Sequence, residues 1–137
     1  MTTVDTSVAV AAALPWHEAH EAARHALPRA KTRLIANVAI ETYSVLTRLP
    51  PPQRVTPTVA LEYLTEAFAF PVLGLPPNSY RQLLADAAAG GISGGAVYDA
   101  VVAMTAREAG ATLLTLDRRA VGTYALLGAP YELISPS

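Results

Sequence analysis

The chain contains no cysteine and a single lysine, Lys31. The first absence excludes disulfides and thiolate metal sites and suits a reducing cytoplasm. The second excludes a Gly-x-x-x-x-Gly-Lys phosphate loop, since no such glycines precede Lys31. It also leaves a phosphorelay receiver without the lysine it needs at a late strand end. Charge is scarce: 15% of residues are charged and the net charge is -1. A broad basic surface is therefore excluded, and any nucleic-acid contact must be a local patch. Long apolar runs are lacking too. Residues 7–14 form the longest early run, too short to span a membrane and without a basic leader. The chain reads as unprocessed, cytoplasmic and free of the membrane. It has no Gly-x-Ser-x-Gly elbow, and the glycines of 90–95 do not fit Gly-x-Gly-x-x-Gly.

What is present is apolar and compositionally even. With 137 residues, 52% of them hydrophobic, residues 1–137 suffice for one domain with a real core. A short strand over 2–4 ends at Asp5, and a small-residue helix follows over 8–14. A polar helix over about 16–27 carries His17, His20 and His25. Their spacing does not fit a His-Glu-x-x-His zinc site, because Glu21 stands four residues after His17; a solvated helix face is expected. A second strand over 33–36 leads through Asn37, a good N-cap, into a helix that bears Glu41. Three prolines at 50–52 make a rigid loop. Thr56 caps and Pro57 starts the next helix. A strand over 70–75, a helix to about 89 and a glycine-rich loop over 90–96 come next. Asp86, on that helix, reads as surface charge. Residues 118–127 suit a short helix, and 131–134 a final edge strand.

The stretch 97–117 organises the rest. Val101, Val102, Met104 and Ala109 lie on one helical face. Gly110 stops the helix, and 111–116 is a short apolar run suited to a buried strand. Ten helical residues cover roughly 15 Å, and five strand residues climb back roughly 16 Å. Asp99 and Asp117 should therefore meet at one sheet edge. Strands that alternate with helices imply an α/β fold with a parallel sheet and right-handed crossovers. Ligands in such sheets bind beyond the carboxyl ends of the strands. Asp5, Glu41, Asp99 and Asp117 all belong at that edge. Taken singly, each also suits a bland role, as a first-turn charge favoured by the helix dipole or as a turn residue.

Four acids together need relief. Two carboxylates about 4 Å apart repel by about 4 kcal/mol at an effective dielectric near 20. A divalent cation or a bound proton supplies that relief. Oxygen-only ligands favour Mg²⁺ or Mn²⁺ over zinc. Such ions promote in-line attack of water on a phosphodiester.

These residues resemble a known family. Val4-Asp5-Thr6-Ser7, Glu41, Tyr98-Asp99-Ala100 after Gly-Ile-Ser-Gly-Gly, and Leu114-Thr115-Leu116-Asp117 are similar to the PIN-domain nucleases. The VapC-type toxins of bacterial toxin–antitoxin pairs resemble it most. The likeness runs over essentially the whole chain. It implies a three-layer α/β/α fold around a central parallel sheet of about five strands. It implies a metal-dependent endoribonuclease in which Asp5, Glu41, Asp99 and Asp117 hold Mg²⁺ or Mn²⁺. Thr6, Ser7 and Thr115 would support the acids or the phosphate. It further implies a homodimer, a cognate antitoxin that inserts into the acidic groove, and a structured RNA substrate such as transfer or ribosomal RNA. Arg118 and Arg119 either clamp an RNA phosphate or pair with a neighbouring acid. Tyr98 either stacks on a base or packs. Leu61, Leu64, Phe68, Leu83 and Leu84 belong to a second lobe, as core or as a partner groove. Two other readings stay open: an inactive binding module, and an RNA-maturation nuclease that is not a toxin.

Overall fold

A computed structural model describes residues 1–136. Five parallel strands alternate with seven helices among these residues: β1 (Thr2–Val4), α1 (Thr6–Ala13), α2 (His20–Ala26), β2 (Arg33–Ile35), α3 (Ala36–Thr47), α4 (Pro57–Ala67), β3 (Ala69–Leu73), α5 (Tyr80–Ala89), α6 (Ala96–Glu108), β4 (Thr112–Thr115), α7 (Val121–Leu126) and β5 (Tyr131–Leu133). A 3₁₀ turn, Pro77–Ser79, precedes α5. The α/β class and the strand count expected from the sequence are both present.

The ladders divide into three strands and two. One sheet runs β1-β4-β5 and the other β2-β3, all parallel. Among the described residues no ladder joins β1 to β2, although the two strands lie side by side. A side chain bridges them instead: the buried Thr3 hydroxyl donates to the Arg33 carbonyl at 2.9 Å. Val4, Leu34, Ile35, Leu113 and Leu114 are buried, as expected for strands covered on both faces. Helix α1 touches α2 and α3, α3 touches α4, and α5 and α7 both touch α6. Leu64, Phe68 and Leu83 belong to the core, whereas Leu61 and Leu84 are exposed.

Two turns set the height of the site. At Gly110 (φ +67°) the Ala111 amide donates to the Ala106 carbonyl and the Gly110 amide to that of Arg107. This Schellman pairing needs a left-handed residue, which glycine supplies. It sends β4 straight back along α6. Gly128 (φ +71°) repeats the pairing after α7, where the Ala129 amide donates to the Tyr124 carbonyl.

Two local expectations are corrected. Asn37 does not cap α3. The helix starts directly after β2, with Ile35 as its N-cap and no side-chain capping bond, and Asn37 lies in the first turn. The histidines do not share a solvated face. His20 is buried, and its Nδ1 donates to the Ala11 carbonyl at 2.9 Å; a carbonyl only accepts, so the proton sits on Nδ1. Thr56 caps α4 as expected, accepting from the Val59 amide at 3.4 Å.

Candidate active site

Asp5 sits where β1 becomes α1. Its amide donates to the Leu114 carbonyl at 3.0 Å, which fixes the end of β1 beside β4. Its side chain caps α1 by accepting from the Val8 amide at 3.4 Å. The Ser7 hydroxyl donates to the same carboxylate oxygen. Tyr124, from α7, donates to the other oxygen at 2.8 Å. Burial pushes the Asp5 carboxyl above its ordinary value, against the bonds from Ser7, Thr115, Tyr124 and Val8. Burial, and then the charge of Asp5, push the Tyr124 phenol upward too, so it remains a donor.

Two hydroxyls tie Asp5 to the end of β4. Ser7 accepts from the Leu116 amide at 2.9 Å while donating to Asp5. Thr115 accepts from the Asp117 amide at 3.0 Å and bonds to Asp5. Asp117 in turn accepts from the Arg119 amide at 3.0 Å, with the Arg119 guanidinium 3.7 Å away. Arg119 therefore pairs with a neighbouring acid, and its side chain is 96% exposed.

Glu41 and Asp99 come from helices. Glu41 is in the second turn of α3, and Asp99 in the first turn of α6. All four acids line one cavity of about 540 Å³, together with Thr6, Ser7, Asn37, Ile40, Ser44, Arg48, Tyr98 and Tyr124. The carboxyl of Asp99 is pushed up to about 6, first by burial and then by the charges of Asp117, Asp5 and Glu41, with Arg119 opposing. The sequence-derived quartet thus shares one electrostatic field. An adjoining cavity of about 420 Å³ shares Thr6, Ser7 and Asp117 and adds His17, Glu18 and Arg119.

Sequence reasoning missed several lining residues. Asn37, Ser44 and Arg48 stand four before, three after and seven after Glu41. That is one helical face, so the spacing held a signal. Tyr124 offered none, since its partner lies 119 residues away.

Among the described residues, no three acids or histidines are drawn together into a ready-made metal cage. The donor chemistry still fits a hard divalent cation. Every acid in the cavity offers carboxylate oxygen, and the repulsion felt by Asp99 is what such a cation relieves.

The chain belongs to the PIN domain family, whose profile matches residues 2–125. It is 51% identical over 131 residues to Ribonuclease VapC40 of Mycobacterium tuberculosis, across 96% of this chain and 97% of that one. It is 44% identical over 125 residues to Ribonuclease VapC27 of the same organism, across 91% of this chain and 90% of that one.

Proposed function

We propose that the chain is a Mg²⁺- or Mn²⁺-dependent endoribonuclease and the toxin of a toxin–antitoxin pair, acting as a single domain in the cytoplasm. The observation that carries this reading is the convergence of four acids from separate elements on one cavity, where burial first and then the charges of the other three push the Asp99 carboxyl up to about 6. Two relatives that bear the name ribonuclease along nearly the full chain support it.

Asp5, Glu41, Asp99 and Asp117 would hold the cation. When bound, it supplies the positive charge and Lewis acidity for attack of water on a phosphodiester. The chain's own groups orient the acids. Ser7, Thr115 and Tyr124 fix Asp5, and the Arg119 amide fixes Asp117. Water adds to phosphorus as the bond to the 3′-oxygen breaks, and that oxygen takes a proton. The products carry a 5′-phosphate and a 3′-hydroxyl. We further assign a cognate antitoxin that covers the acidic cavity, a homodimeric assembly, and a structured RNA such as transfer or ribosomal RNA as substrate.

The test is incubation of cellular RNA with the purified, antitoxin-free protein in Mg²⁺, in Mn²⁺ and in EDTA. Asp99→Asn runs alongside, and cuts are mapped by sequencing 5′-phosphate ends. Discrete cuts that need metal and Asp99 are the expected result. Intact RNA with folded, metal-supplied protein would sink the nuclease reading.

A further inference from the structure

Resting on the ribonuclease reading, we propose that Ile40 and Tyr98 form a clamp for one nucleobase beside the phosphodiester that is cut. Both side chains line the cavity of the four acids. Both are unusually open for apolar groups: Ile40 is 74% exposed and Tyr98 66%. Each directly precedes an acid on its helix, Ile40 before Glu41 and Tyr98 before Asp99. Adjacent helical residues point about 100° apart. An acid that faces the cavity therefore leaves its predecessor at the rim. The two helices, α3 and α6, touch each other, which sets the two apolar groups at one mouth.

The occupant follows from what the acids would act on. A phosphodiester held at the cavity carries a ribose and base on either side, and the rim is the place such a base reaches. A flat aromatic ring with an aliphatic group nearby suits a base face of any sequence. A base inside a duplex keeps its faces stacked on its neighbours and offers none. The cavity, about 540 Å³, falls in the range of sites that take a small organic group.

The test uses a short RNA that contains a mapped cut site. It is prepared unmodified, paired to a complementary strand, and with an abasic nucleotide on either side of the cut. Wild type, Tyr98→Phe, Tyr98→Ala and Ile40→Ser are compared by kcat/KM. Tyr98→Ala should lose about tenfold or more, whereas Tyr98→Phe, which keeps the ring, should stay near wild type. The abasic RNA should cost wild type a similar factor and Tyr98→Ala almost nothing further. Mn²⁺ binding should be equal in all variants. With 2-aminopurine beside the cut, Asp99→Asn should quench its fluorescence, and Asp99→Asn with Tyr98→Ala should not. Full multiplication of the two losses, or equal cutting of paired and unpaired RNA, would overturn the clamp alone. Loss of antitoxin inhibition in Tyr98→Ala with RNA cutting intact would reassign the rim to the antitoxin. If wild type cuts no RNA, the ribonuclease reading fails first and the clamp falls with it.

Discussion

The acid cavity has a floor and a wall, and they are held differently. The floor lies at the ends of β1 and β4. There Asp5 is 4% exposed and its two oxygens take bonds from α1 and α7. The wall consists of α3 and α6. There Glu41 is exposed and Asp99 half-buried, beside the open side chains of Ile40 and Tyr98. The floor is prearranged before any ligand arrives, which lowers the ordering cost of binding. The wall keeps its groups free to meet a substrate. Under the proposed function, a site that holds a cation and admits a long polymer has use for both.

Four substitutions probe that division, from the largest expected effect to the smallest. On the wall, Asp99→Asn should lower single-turnover RNA cleavage about a thousandfold, equivalent to roughly 4 kcal/mol of charge stabilisation. Near-normal cleavage would place the chemistry elsewhere. On the floor, Ser7→Ala and Tyr124→Phe should each weaken Mn²⁺ binding by roughly 10- to 100-fold, the usual cost of losing a group that orients a ligand. Calorimetric titration of folded protein reads this directly. Ser7→Ala should be the worse of the two, because it also strips the Leu116 amide of its acceptor. Equal binding in both variants would show that the floor needs no such support.

The third effect concerns pH in the metal-free protein. The Asp99 carboxyl lies at about 6 in the fold, above an unfolded value near 3.9. Its contribution to stability is thus fully present below about pH 4 and lost as pH rises through about 6. Asp99 is half-exposed, so screening reduces the effect to about 1 kcal/mol. Urea midpoints at pH 5 and pH 7 should separate more for wild type than for Asp99→Asn. Equal separations would remove Asp99 as the source. Last, Arg119→Ala should change stability by less than about 0.5 kcal/mol, since its ion pair with Asp117 is exposed. A larger shift in the urea midpoint would mean that the guanidinium has a buried partner when the protein is in solution.

The four acids were legible because chain periodicity fixes height. A helix, a glycine stop and a strand of matched length return the chain to its starting level, so Asp99 and Asp117 had to meet. Asp5 was placed by closing the first strand, and Glu41 by lying early in the helix that follows the second. Tyr124 was not legible, because nothing local marks a tyrosine in α7 as the donor to a carboxylate on α1's cap. His20 was misread because its partner is a carbonyl on α1, and backbone acceptors leave no mark in a sequence. Asn37 was misread for another reason: a residue favoured at caps is also tolerated in a first turn, and Ile35 took the cap instead. The division of the ladders was hidden as well. Strand patterning reports burial, and burial is the same whether neighbours exchange backbone bonds or merely touch.

That division has a consequence for the shape of the cavity. Asp5 and Asp117 hang from the three-stranded sheet, whereas Glu41 follows the two-stranded one. The separation of the first two is set by backbone register. The separation of Glu41 from both rests on side-chain packing and on two hydroxyls, Thr3 to the Arg33 carbonyl and Tyr63 of α4 to the Ala9 carbonyl of α1. Thr3→Val keeps the shape and removes the one of these links that joins β1 to β2. The width of the cavity between Glu41 and the other two acids is thus set by packing and not by a backbone ladder, so a mutation far from the acids can tune it.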